Sequence, residues 1–253
     1  MILHATEAGE GPSLVLLHGL FGSAQNFASV QRQFARRFRC IALDLRNHGA
    51  SPHDPAMGYD AMAEDVFGTL ATRAALPAAL LGHSMGGKVA MRLALDRPDT
   101  VRRLIVADIS PISYPPAFRD LAAVLQALPL TSGLTRAAAD AQLAAAIPDA
   151  GLRAFLLQNF RPGAQPAWRI GLDEIAAALP EIEGWEAPAG AGYSGPTLFM
   201  GGARSDYICP EHRPVIRALF PAARFVTVKD AGHWVHADNP AAFVGVVEAF
   251  LAR

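Results

Sequence analysis

Residues 79–87 read Ala-Leu-Leu-Gly-His-Ser-Met-Gly-Gly, so Gly82-His-Ser84-Met-Gly86 sets one serine between two glycines. When a strand turns sharply into a helix, the residue at the corner is held in a strained conformation that raises its side chain above the sheet. Glycines on either side remove the Cβ atoms that would collide in so tight a turn. The flanks agree with this: an apolar run precedes the motif, and Gly86, Ala90 and Ala94 follow at helical spacing until Arg97-Pro98. Ser84 is therefore the expected nucleophile of an acyl-transfer reaction. Met85 would open the helix, where amides are unpaired and the dipole is positive, so its N–H suits a developing oxyanion. The glycine-containing turn His18-Gly-Leu-Phe-Gly22 supplies the second donor, at Leu20 in first place and Phe21 in second.

A serine hydroxyl needs a base. Ala231-Gly-His-Trp-Val-His236 follows the apolar run Phe225–Val228 and precedes the last helical pattern. His233 has a glycine before it to free its backbone and is the expected base. His236 lies nearer the cap signal Asp238-Asn-Pro240 and is expected to be structural. His18 ends a strand inside its turn and is expected to hydrogen-bond rather than to move protons. Two acids compete for the far nitrogen of His233. Asp108 ends the run Leu104–Asp108 and is favoured; Asp206, in Gly201–Asp206, is the alternative, with Ser205 as a supporting hydrogen bonder. Asp44, Arg46, Asn47 and His48 form a polar cluster expected to bind loop backbone, as such side chains do in turns. Lys88, one turn into the nucleophile helix, is expected to support loops.

These groups need a scaffold. Short apolar runs at Leu14–Leu17, Cys40–Leu43, Ala79–Leu81, Leu104–Ala107, Thr197–Met200 and Phe225–Val228 read as strands covered on both faces. Between them Met62, Val66 and Leu70 recur four apart, and Phe243, Val246, Val247 and Phe250 share a face behind an Asn239 cap and Pro240. Strand and helix alternate, which predicts an α/β fold with a doubly wound, mostly parallel sheet. From Pro111 to Gly195 no strand signal appears, only helical faces. The expectation is a helical cap over residues 111–189, inserted before the last two strands, with 1–110 and 190–253 forming the core. Such an insertion sits over the crevice where these sheets bind ligands. Phe21, Phe118, Phe155, Trp185 and Trp234 are the expected substrate contacts.

The chain has 253 residues, 51% hydrophobic and 18% charged, with a formal net charge of −1. That balance suits a compact enzyme and gives no electrostatic reason to bind nucleic acid or an anionic membrane. No run reaches the ~18 apolar residues of a membrane span, and no leader pattern opens the chain, so a cytoplasmic location is expected. Cys40 and Cys209 have no metal-ligand spacing. No cofactor or metal is expected, and oligomeric state is left open.

His18-Gly-Leu-Phe-Gly-Ser23, Asp44-Leu-Arg-Asn-His-Gly-Ala-Ser51, Gly82-His-Ser-Met-Gly-Gly-Lys88, Asp108-Ile-Ser-Pro111 and Gly232-His-Trp-Val-His-Ala237 together resemble the YbfF-type esterases and their mitochondrial relatives. The resemblance implies an α/β-hydrolase fold with a helical cap and hydrolysis of acyl esters, with acyl-CoA thioesters for some members. It also implies Asp108 as the acid with a serine at 205; the aspartate at 206 departs from the pattern and keeps the alternative acid open. The expected partner is a small-molecule acyl ester or thioester. Carbon–carbon or amide cleavage on the same fold is the second reading, and a non-catalytic binding protein the remote one.

Overall fold

The computed structural model describes residues 1–252. In chain order the strands are β1 (Ala5–Ala8), β2 (Ser13–Leu17), β3 (Arg39–Leu43), β4 (Ala78–His83), β5 (Val101–Ala107), β6 (Phe160–Arg161), β7 (Ala167–Trp168), β8 (Thr197–Gly202) and β9 (Ala223–Val228). Seven of them form one sheet in the order β1-β3-β2-β4-β5-β8-β9, and only β1 runs antiparallel to its neighbour. The doubly wound parallel sheet expected from the alternation is present.

The strands are apolar on successive positions because both faces are covered. One row runs Leu16, Leu81, Ile105, Leu198 across four adjacent strands. It packs under α1 (Ala28–Phe34) with Phe34 and under the terminal helix with Phe243 and Val247. The alternate residues, including Val15, Leu80 and Leu104, face α2 (Tyr59–Thr72) and α3 (Met85–Asp96) in a second core. Burying each such side chain contributes about 1.5–3 kcal/mol, which is why the two helical layers clamp the sheet.

Between β5 and β8 the chain forms α4 (Arg119–Gln126), α5 (Arg136–Leu143), α6 (Ala150–Leu156) and α7 (Leu172–Glu183). Leu125 of α4 and Ile175 and Leu179 of α7 are buried in the second core. Then follow α8 (Arg213–Leu219), α9 (Val235–Asp238) and α10 (Pro240–Leu251). The Asn239 side chain accepts from the Ala242 amide at 3.2 Å, and Pro240 takes the first helical position.

Three strands differ from the sequence expectation. β1 is an edge strand whose central Thr6 and Glu7 are exposed, so it lacks an apolar run. The segment from Pro111 to Gly195 is not free of strand, since β6 and β7 form an antiparallel ribbon. Two residues a side are too few to carry a period. Among the described residues no helix is long and apolar enough to cross a membrane.

Candidate active site

Ser84 occupies the corner between β4 and α3 with φ +52° and ψ −122°, a conformation costly for any residue with a Cβ. Its amide donates to the Ala107 carbonyl at 2.9 Å, which ties the corner to the end of β5. A Cβ on Gly82 would lie 2.1 Å from the Gly86 carbonyl oxygen, and one on Gly86 would lie 2.3 Å from that of Leu17. No side chain fits at either position without moving backbone. Phe21 and Asp108 also have positive φ, +59° and +54°. Strain in three non-glycine residues thus gathers around one place, as it does where geometry serves chemistry.

His233 Nδ1 lies 2.7 Å from Asp108 Oδ2. Asp108 is fully buried, and its carboxylate also accepts from the Gly202 amide at 3.0 Å and from Ser205 Oγ at 2.5 Å. An ionised carboxylate only accepts, so His233 donates through Nδ1 and Nε2 is left as the acceptor. Asp206, the alternative acid, is exposed at the mouth of a cavity. Ser84 and His233 line the same two cavities. No hydrogen bond joins them among the described residues; in unliganded sites such bonds commonly tighten only with substrate.

The His233 ring is held by its neighbours. Tyr207 packs on it at 4.4 Å between centroids and His83 at 4.7 Å. His83 Nε2 donates to the His233 carbonyl at 2.8 Å, so the residue before Ser84 grips the loop that carries His233. Burial pulls the His83 pKa well below the usual imidazole value, with nearby histidines adding to the effect. His236 is buried against Phe27 and Phe243, and burial pulls it down to about 4.

The turn carrying Leu20 lies against the nucleophile: a Cβ on Gly19 would be 3.2 Å from Ser84 Cβ. The Phe21 amide donates to His48 Nε2 at 3.2 Å, whereas the Leu20 amide has no acceptor among the described residues. His48 is pulled down to about 3, mainly by burial, and stays neutral to accept that bond while Nδ1 donates to the Arg46 carbonyl. His18 uses both nitrogens, donating from Nδ1 to the Gly19 carbonyl and accepting the Leu45 amide at Nε2. It has none left for a substrate proton. The rest of the polar cluster binds mostly backbone. Asp44 accepts from the Ala24 and Ala50 amides, Asn47 exchanges two bonds with Asp54 backbone, and Arg46 pairs with buried Asp65.

One residue that the sequence did not mark completes the turn. Asn159 Nδ2, buried in the segment after α6, donates to the Phe21 carbonyl at 2.7 Å. Nothing in Leu156-Leu-Gln-Asn-Phe160 distinguishes it from an ordinary loop asparagine.

Ser84 sits between a narrow cavity of about 60 Å³ and a wide one of about 490 Å³. Phe21, Phe118, Phe155 and Trp234 line the narrow one, and Phe118 also borders the wide one. Trp185 lines neither. Its ring packs on Tyr59 at 5.7 Å and its amide donates to Ser113 Oγ, so, unlike the other four expected substrate contacts, it borders neither cavity at Ser84. Among the described residues no His, Cys, Asp and Glu side chains gather into a metal site.

The family model described as the alpha/beta hydrolase fold matches residues 12–240. The chain belongs to the α/β hydrolase family. It is 44% identical over 250 residues to the mouse protein named sn-1-specific diacylglycerol lipase ABHD11, covering 95% of this chain and 81% of that one. It is 37% identical over 240 residues to Esterase YbfF of Escherichia coli K12, covering 94% and 92%. A solved structure titled marine microorganism esterase superposes with a TM-score of 0.95 at 34% identity, covering 98% and 99%.

In this α/β hydrolase α4 and α7 are joined to α3 through buried polar groups. Lys88 is 1% exposed, and its Nζ donates to the Glu183 and Gly184 carbonyls at 3.1 and 2.7 Å, at the C-terminal end of α7. Burial pulls Lys88 down to about 7, with the Glu183 carboxylate opposing the shift. Glu183 Oε1 in turn accepts the Ala117 and Phe118 amides at 2.6 and 2.9 Å, at the start of α4. Lys88 thus holds the end of α7 and the start of the loop that follows it.

Proposed function

We propose that this α/β hydrolase is a serine hydrolase that cleaves carboxylic esters and acyl thioesters through an acyl-enzyme on Ser84. The observation that carries the proposal is the Asp108–His233 hydrogen bond beside the strained Ser84, with Leu20, Ser84, Met85 and His233 all bordering one cavity. The names borne by its relatives, an esterase and a diacylglycerol lipase, support ester substrates.

Ser84 Oγ attacks the acyl carbon as His233 Nε2 takes the hydroxyl proton. Negative charge grows on the carbonyl oxygen and is met by the Leu20 and Met85 amides. Each such donor contributes about 3 kcal/mol where one has been removed in a comparable site. Collapse breaks the bond from acyl carbon to leaving oxygen or sulfur, and His233 gives its proton to that atom. Water then enters, loses a proton to Nε2 and attacks the acyl carbon; the bond from Ser84 Oγ to that carbon breaks, Nε2 returns the proton to Oγ, and the acid leaves. Asp108 keeps the proton of His233 on Nδ1 and stabilises the imidazolium. Ser205 and the Gly202 amide keep that carboxylate aimed. Every step uses protein groups and water.

Residues 111–189 act as a cap over Ser84, with 1–110 and 190–253 as the catalytic core. The proposal includes a cytoplasmic location, in keeping with two unpaired cysteines. Hydrolysis across p-nitrophenyl esters and acyl-CoAs, with wild type and Ser84→Ala, tests it. Turnover of esters or thioesters that Ser84→Ala loses is expected; turnover confined to amides or diketones, or unchanged in Ser84→Ala, overturns it.

A further inference from the structure

The two cavities that meet at Ser84 differ in more than size. Leu20, Ser84, Phe118 and His233 border both, so a substrate whose reacting carbon sits at Ser84 extends into each. Every charged lining residue, Lys88, Glu183, Arg204 and Asp206, belongs to the wide cavity. The narrow one has no acidic or basic side chain apart from histidines. Burial holds three of those, His18, His83 and His236, below the usual imidazole value. An alkyl chain is favoured where the walls are apolar and water is absent, while a departing alcohol or thiol needs room and polar contacts.

The narrow cavity ends at a partition. Beyond it lies an open cup of about 940 Å³ on the outer surface, bordered by Arg136, Asp149, Arg169 and Asp238. Leu152, Phe155, Trp234, Asn26 and His236 line both the narrow cavity and this cup, so they form the wall between them. Its centre is an aromatic pair: Phe155 of α6 and Trp234 of the loop before α9, with ring centroids 5.6 Å apart. Phe155 comes from the covering helices and Trp234 from the loop that carries His233.

Resting on the ester-hydrolase proposal, we propose that Phe155 and Trp234 set the acyl-chain limit of this enzyme. The narrow arm holds the acyl group, the aromatic pair stops it, and the wide arm holds the alcohol or thiol. The preferred substrates are short-chain acyl esters or thioesters of bulky, polar alcohols or thiols. Removing the Phe155 ring joins the narrow arm to the outer cup and lets longer chains through.

The experiment compares kcat/KM for p-nitrophenyl acetate, butyrate, octanoate and dodecanoate. Wild type falls steeply beyond butyrate. Phe155→Ala raises the octanoate-to-acetate ratio by about ten-fold or more, the size of discrimination that pocket methylenes give. Phe155→Trp moves the limit the other way, lowering butyrate relative to acetate, and Phe155→Leu carries the test if the alanine variant does not fold. A chain-length profile unchanged in all folded variants overturns the limit but leaves Ser84 chemistry standing. So does a limit that moves instead with Ile109→Ala, on the wide side. Absence of Ser84-dependent turnover with every ester overturns both proposals.

Discussion

Asp108 Oδ2 meets His233 Nδ1 at 2.7 Å although the two residues are 125 positions apart. The positive φ of Asp108 turns its carboxylate back across the end of the sheet. The Asp108 amide is pinned meanwhile to the Met200 carbonyl on β8, at 2.8 Å. The same carboxylate holds Ser205 and the Gly202 amide, so β5, β8 and the His233 loop converge on one buried side chain.

That convergence separates the two acids. Asp108→Asn should lower kcat by about 10⁴-fold, because an amide in that place stabilises the wrong imidazole tautomer. Asp206→Asn should change it little, since its carboxylate faces solvent. Steady-state rates of the two variants decide it, and a larger loss for Asp206→Asn contradicts the assignment.

The contact from Asn159 to the oxyanion turn gives a second expectation. Asn159→Ala leaves the buried Phe21 carbonyl unpaired, costing about 1–3 kcal/mol of stability. It also loosens the Leu20 amide, so kcat should fall about ten-fold with KM nearly unchanged. A thermal melt together with kcat and KM on one ester checks both parts. A normal kcat in a destabilised variant would make Asn159 purely structural.

How far the sequence showed these groups depends on what each one needs. The corner at Ser84 demands glycines, an apolar strand before it and a helix after it, and all three are local. The parallel sheet was legible because strands covered on both faces lose their polar alternation. Asp108 and Asp206 both follow strands, and only the backbone turn at each decides where the carboxylate points. That turn is set by packing between β5 and β8, not by local residues. Trp185 looked like a substrate contact because it is a large apolar side chain in the insertion, yet it packs on Tyr59 and borders neither cavity at Ser84. Asn159 had no local signal, since its value lies in a bond to a residue 138 positions away.

Lys88 makes stability depend on pH. Its folded pKa, about 7, lies below the ordinary lysine value of 10.5, so the unfolded chain binds more protons between those two values. Stability from this group therefore rises as pH goes from 7 toward 10, and the full cost of burying the ammonium is present below 7. The slope cannot exceed about 1.4 kcal/mol per pH unit for one proton. Urea melts at several pH values should show the rise in wild type and its loss in Lys88→Met. Equal slopes in both would mean that Lys88 does not titrate in this range.

The most direct measurement is the site of covalent capture. A fluorophosphonate reacts with a serine only where a base and an oxyanion site activate it, so the intact protein should gain one adduct, located by peptide mass on Ser84. His233→Ala should slow that labelling by orders of magnitude, and Ser84→Ala should abolish it. Labelling of another residue, or an equal rate in His233→Ala, would contradict the account.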